Sequence, residues 1–226
     1  MRLRHTLVDQ RGEWPQRIQA VLYHHGVPQR RDLLTAEKRE WLEDLDLPAT
    51  AREQITVALS VIDALDAQSE PLTRELRAYG RRQPGCRALM AHYGIGALTA
   101  VTILAELGDA RRFSSSRHAV RYAGLDITVY QSDQRRAPGH LSRQGPPALR
   151  WALYEAAQLA RRPGSPDHAY YEQAAARRTG SPDRPYYQQA AARLGGNRAC
   201  LAVARKLLKR SYHTLRELED EALQPA

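Results

Sequence analysis

GIGALTAVTILAELGDARRFSSSRHAVRYAGLDITVYQSDQRRAPGHLSRQGPPALRWALYEAAQLARR, residues 94–162, decides how this chain is organised. It opens on Gly94-Ile95-Gly96, with short helical sequence before it and the apolar run Leu98–Leu107 after it. Helix, Gly-x-Gly turn, helix predicts a helix-hairpin-helix, in which the glycines let backbone N–H groups approach a phosphate and the next helix adds its dipole. A Gly-x-Gly before a helix also serves as a tight turn, and that alternative stays open. Ser114–Ser116 predicts the cap of a helix through Tyr122 that is closed by Gly124. Ile127, Val129 and Tyr130 suggest a short strand over 126–131. The loop 131–146 then holds Ser132, Arg135, Arg136, His140, Ser142 and Arg143. Pro146-Pro147 starts a helix through Ala160, because proline suits a first turn and no later one. Its packing face is Leu149, Leu153, Ala156, Ala157 and Ala160, and it also carries Arg150.

N-terminal to this segment the pattern is a helical arm, residues 1–83. Leu3, Leu7, Trp14, Ile18, Val21 and Leu22 fall at helical spacing, with a kink or restart expected at Pro15 and an end at Gly26 and Pro28. Thr35 begins a short helix to about Leu45. From Thr50 to Tyr79, Ile55, Leu59, Ile62, Leu72, Leu76 and Tyr79 form a 4-3 seam broken by Asp66 and Ser69. Such a seam suits a helical hairpin or coiled coil, so a homo-oligomer through the arm is expected.

C-terminal to the segment, residues 163–226 contain a tandem repeat. RRPGSPDHAYYEQAAA at 161–176 is followed by RRTGSPDRPYYQQAAA at 177–192, with 12 of 16 positions identical. Two copies are too few for a solenoid; packing explains the tyrosine pairs better than base stacking does. Asn197 is expected to cap the last helix, through about Leu218, on which Arg198, Arg205, Lys209 and Arg216 share a face.

The whole is therefore expected to be all-α: arm 1–83, compact domain 84–162 and basic tail 163–226. The net charge of +9 is uneven: residues 1–90 hold 14 Lys and Arg against 13 Asp and Glu, whereas 91–226 hold 20 against 12. A basic half predicts a polyanionic partner, DNA foremost. The candidate contacts are Gly94, Gly96, Arg135, Arg136, Ser142, Arg143, Arg150, Arg198, Arg205 and Lys209. Cys86 and Cys200 lack ligand spacing, no metal site is expected, and no run approaches the ~20 apolar residues of a membrane span. A cytoplasmic protein is expected.

The motifs GIGALTAVTILAELGDARRFSSSRHAVRYAGL, YQS, GHLSRQG and LRWALYEAA together resemble the C-terminal domain of bacterial insertion-sequence-110-family transposases. Residues 1–80 resemble the helical linker before that domain, and RRTGSPDRPYY with ACLAVARKLLKRSYHTLRE is similar to its C-terminal end. The resemblance implies a recombinase guided by a bridge RNA, with a RuvC-like domain holding metal on four acidic residues and a C-terminal domain supplying a nucleophilic serine. Ser132 matches that serine and Ser142 a backbone-positioning one; Arg135, Arg136 and Arg143 would face the phosphate. The RuvC-like part has no counterpart in this sequence, so the metal (magnesium) is expected only there and no cofactor here. Asp133 stands where the family has glycine, and the 16-residue segment is doubled. These departures imply a chain inactive alone; a non-catalytic nucleic-acid-binding module or an inert remnant is the alternative.

Overall fold

Ile55, Ala58 and Ile62 need an apolar cover, and the N-terminus provides it. A computed structural model describes residues 1–127, 131–132, 135–136, 141–176 and 185–224, with backbone alone at 131–132, 135–136, 176 and 185–195. The fold is all-α, with nine α-helices and one two-rung hairpin among the described residues. It divides into two compact units, Met1–Glu75 and Leu76–Ala226. The arm therefore ends inside its long helix, and the segments 84–162 and 163–226 lie in one unit.

The first unit holds α1 (Arg2–His24), α2 (Ala36–Asp44) and most of α3 (Ala49–Arg82). Ile18 and Leu22 of α1 and Leu42 of α2 are buried with Ile55 and Ile62 of α3. The helices α1 and α3 run antiparallel: Arg4 Nε donates to Thr73 Oγ1 at 2.7 Å, and Arg11 reaches both Asp66 oxygens at 2.6 and 3.0 Å. Asp66, the polar break in the seam, is thus answered within the chain. The expected restart at Pro15 does not occur; α1 is continuous through it, and α3 through Pro71. The end of α1 is as expected. Gly26 at φ +74° lets its N–H reach Tyr23 O and that of Val27 reach Leu22 O, closing a Schellman cap.

The second unit holds α4 (Pro84–Met90), α5 (Ala97–Leu107), α6 (Ser116–Tyr122), α7 (Pro147–Gln158), α8 (His168–Ala176) and α9 (Pro185–Glu217). Helix α9 is its axis. Its Ala199, Val203, Leu207, Leu208 and Tyr212 are buried, and it packs on α4, α6, α7 and α8. Leu149, Leu153, Ala156, Ala157 and Ala160 are all buried, as the spacing predicted. The expected start of the last helix at Asn197 is corrected: α9 begins twelve residues earlier. Gln188–Arg193 is a run of strong helix formers, and it carries the helix across Gly195-Gly196. No helix among the described residues is long and apolar enough to cross a membrane.

Candidate nucleic-acid interface

The segment carrying Ser132 rises from a stem built of backbone. Helix α6 ends in a Schellman cap, with Gly124 (φ +65°) donating to Arg121 O at 2.9 Å and Leu125 to Val120 O at 3.1 Å. The chain returns alongside. Leu141 bridges Ile127, Ser142 N–H donates to Asp126 O at 3.1 Å and Arg143 N–H to Gly124 O at 3.2 Å. The Ser142 hydroxyl also donates to the Asp126 carboxylate, which gives Ser142 a place in the stem. Two glycines allow the close approach. A Cβ on Gly124 would sit 2.0 Å from Gln144 O, and one on Gly145 (φ +92°) 1.8 Å from Tyr122 O.

Two arginines fasten this stem from inside the unit. Arg150 Nη1 on α7 points at Ala123 O, Gln144 O and Gly145 O at 3.1, 3.2 and 2.9 Å. Arg205 Nε on α9 donates to Leu125 O. Burial, with Arg143 alongside, pulls the Arg150 guanidinium below its ordinary value, and burial does the same to Arg205. Arginine starts so far above neutrality that both remain cations. Two positive charges therefore underlie the stem, and both are engaged with carbonyl oxygens.

Beyond the stem, β1 (Gln131–Ser132) pairs antiparallel with β2 (Arg135–Arg136), Ser132 opposite Arg135 and Gln131 opposite Arg136. Opposed residues in such a ladder have Cα atoms roughly 4.5–5.5 Å apart. The register thus brings Ser132 and Arg135 into one pair, which loop sequence alone did not reveal. Of the strand expected over 126–131, the isolated bridge at Ile127 and the β1 residue Gln131 are seen, and 128–130 lie outside the described residues. The side chains of Ser132, Arg135 and Arg136, and all of Asp133 and His140, fall outside the described residues.

The remaining candidates separate by role. Gly94 (φ +89°) lies against α7, where a Cβ would meet Ala156 O at 2.6 Å, so its missing side chain serves helix packing. Gly96 is the exposed N-cap of α5, with nothing within 4 Å of a Cβ. Arg143, Arg198 and Lys209 are exposed. Sequence reasoning passed over Arg117 and Arg121, exposed and one turn apart on α6 just before the stem; their spacing of four was the available signal. None of these five cations has an ion pair among the described residues, where Arg111 takes Asp109 and Asp220, and Lys206 and Arg210 share Asp167. The imbalance belongs to the unit: residues 76–226 hold 24 Lys and Arg against 12 Asp and Glu, while 1–75 hold 10 against 13.

The chain is 28% identical over 120 residues to a Pseudomonas aeruginosa protein named "Probable family 20 transposase", covering 53% of this chain and 36% of that one. It is 25% identical over 159 residues to the transposase for insertion sequence element IS1328 of Yersinia enterocolitica, covering 70% and 48%. It is 27% identical over 129 residues to an insertion element IS110 protein of Streptomyces coelicolor, covering 56% and 32%. The chain thus spans about a third to a half of the length of these relatives. Residues 86–172, which run from Cys86 in α4 through the serine hairpin into α8, match the family described as the IS116/IS110/IS902 transposases.

Proposed function

We propose that this chain is the DNA-handling part of an insertion-sequence transposase, and that its 131–136 hairpin presents Ser132 to a backbone phosphate. The observation that carries the proposal is the stem. Interlocked glycines and two fastening arginines hold the hairpin's ends inside the matched 86–172 region, on the unit with the +12 charge surplus. In the proposed step the Ser132 Oγ–P bond forms as the P–O bond to the departing strand breaks. The serine proton is released to water and the departing oxygen takes one up. Cations stabilise the charge that gathers on the phosphate, and Arg135, opposite Ser132 in the ladder, is the nearest by register.

Arg143, Arg198, Lys209, Arg117 and Arg121 supply exposed phosphate contacts in this account, and Gly96 a backbone approach at the start of α5. Arg150 and Arg205 act through the stem. The same exposed cations suit a structured guide RNA, whose backbone offers the same phosphates. A second copy docking on the arm would use Leu3, Tyr23 and Val57, which stay exposed once α1 and α2 cover the seam. Among the described residues no three His, Cys, Asp or Glu side chains converge on a cation site. The divalent metal of the resemblance does not fit them, and no step above passes through it.

Asp133 favours a second reading, in which the domain binds nucleic acid without chemistry, because an acidic residue directly follows the proposed nucleophile in the sequence. One experiment separates the two. The chain is incubated with nicked, end-labelled duplex carrying element-end sequence, with an intact relative added, and denatured. A labelled covalent adduct of this chain that disappears in Ser132→Ala supports the catalytic reading. An adduct that survives Ser132→Ala removes that serine, and no adduct with binding intact leaves the non-catalytic module.

A further inference from the structure

The repeat at 161–192 has a consequence separate from DNA handling. Its first copy is docked by three buried residues. Asp167, 3% exposed, bonds Arg210 at 2.7 and 3.1 Å and Lys206 Nζ at 2.8 Å, both on α9. Ser165 is buried and its hydroxyl accepts from Asp167 N–H at 3.2 Å. Tyr171 is buried with its hydroxyl 3.1 Å from where a Cβ on Gly196 would lie. All three recur in the second copy, as Asp183, Ser181 and Tyr187. The four positions at which the copies differ, Pro163, His168, Ala169 and Glu172 in the first, are exposed or half-exposed. The second copy therefore keeps the three buried groups of the dock, and has Arg184 where His168 Nδ1 lies 3.1 Å from Ala160 O in the first.

The connections allow the exchange. Asp167 sits at Lys206 and Arg210 while Tyr171 sits at Gly196, so α8 runs antiparallel to α9. Two antiparallel helices are joined by loops of about 2–5 residues. If the second copy were docked through Asp183, its last residue, Ala192, would lead through the four residues 193–196 to a helix beginning at Asn197, so the seat of Tyr171 at Gly196 is given up and the Lys206/Arg210 side is what the two registers share. Arg193-Leu194-Gly195-Gly196-Asn197 is turn and N-cap chemistry. In the structure that sequence is interior to α9, where glycine is the poorest helix former after proline. The dock's basic side, Lys206 and Arg210, lies C-terminal to both copies and is the same for either.

We propose that the Lys206/Arg210 site on α9 accepts either copy of the Gly-Ser-Pro-Asp turn. The chain then has two registers 16 residues apart, one with Asp167 docked and α9 starting at Pro185, the other with Asp183 docked and α9 starting at Asn197. The undocked copy is the one that changes its surroundings.

Zero-length carbodiimide coupling reads both registers directly, since it joins an amine to a carboxylate only in contact. In the monomer fraction of the wild-type chain, mass spectrometry finds Lys206 linked to Asp167 and also to Asp183. In Asp167→Asn the Asp183 link rises several-fold. A Lys206–Asp167 link alone, with no Asp183 link in either protein, overturns the proposal; so does an Asp183 link confined to covalent dimers, which would mean exchange between chains. The wild-type result stands whether or not the variant folds.

Discussion

Gly145→Ala tests the stem most sharply. The new Cβ would lie 1.8 Å from Tyr122 O, where ordinary contact begins at 3.4 Å, so the 122–126 and 141–145 segments must part. Alanine at a φ of +92° costs about 1–2 kcal/mol in the backbone alone. Parting the segments also weakens the 3.2 Å bond from Arg143 N–H to Gly124 O and the 2.9 Å bond from Arg150 to Gly145 O. At about 1 kcal/mol net per hydrogen bond, the sum is roughly 3–4 kcal/mol. For a chain of this size that lowers the thermal midpoint by roughly 10 °C. Gly96→Ala is the control: nothing lies within 4 Å of its Cβ, and an N-cap exchange of glycine for alanine costs under about 1 kcal/mol. Calorimetry or circular dichroism of the two variants reads the contrast. Equal midpoints for Gly145→Ala and wild type would refute the interlocked stem, and a large loss in Gly96→Ala would refute the open N-cap.

Arg205→Met strands the Leu125 carbonyl and lowers stability by about 1–3 kcal/mol in urea unfolding, whereas Lys209→Ala, exposed and without an ion pair among the described residues, leaves the urea midpoint unchanged. Burial, then Arg210, holds the His92 imidazole below 6.5, so its contribution is full above that value and is lost as pH falls through and below it. A stability–pH profile should therefore drop as the pH falls below about 6.5, and His92→Gln should flatten that limb. For Asp167, burial alone would raise the carboxyl, but Arg210 and Lys206 outweigh it and hold it down, so a second loss appears only below about pH 3.8. Burial pushes the Cys86 thiol up to about 11, and both cysteines are buried; thiol reagents at neutral pH should label neither until denaturant unfolds the chain.

Much of the helical frame was legible because helix faces repeat locally. Leu149 to Ala160 declared a packing face, Gly26 and Gly124 declared helix ends, and the α3 seam declared a partner helix. What escaped depended on contacts distant in sequence. Arg150 and Arg205 read as phosphate contacts because arginines on a basic helix look alike; only the fold shows carbonyls at 123, 125, 144 and 145 turned toward them. Gly94 read as a phosphate glycine, yet the backbone it approaches is that of Ala156, 62 residues away in the chain. The start of α9 was misplaced because Gly195-Gly196-Asn197 carries genuine turn and cap chemistry, which helix formers and packing override. The pairing of Ser132 with Arg135 depends on a register that two residues of strand are too short to announce.

A DNA-handling surface on residues 76–226 would show itself in the salt dependence of duplex binding. Log Kobs should fall linearly with log salt at about −0.9 per phosphate contact, so a surface of five exposed cations gives a slope near −4 to −5. Arg198→Ala and Lys209→Ala should each reduce that slope by about one unit. Binding that is weak and flat from low to physiological salt would contradict it.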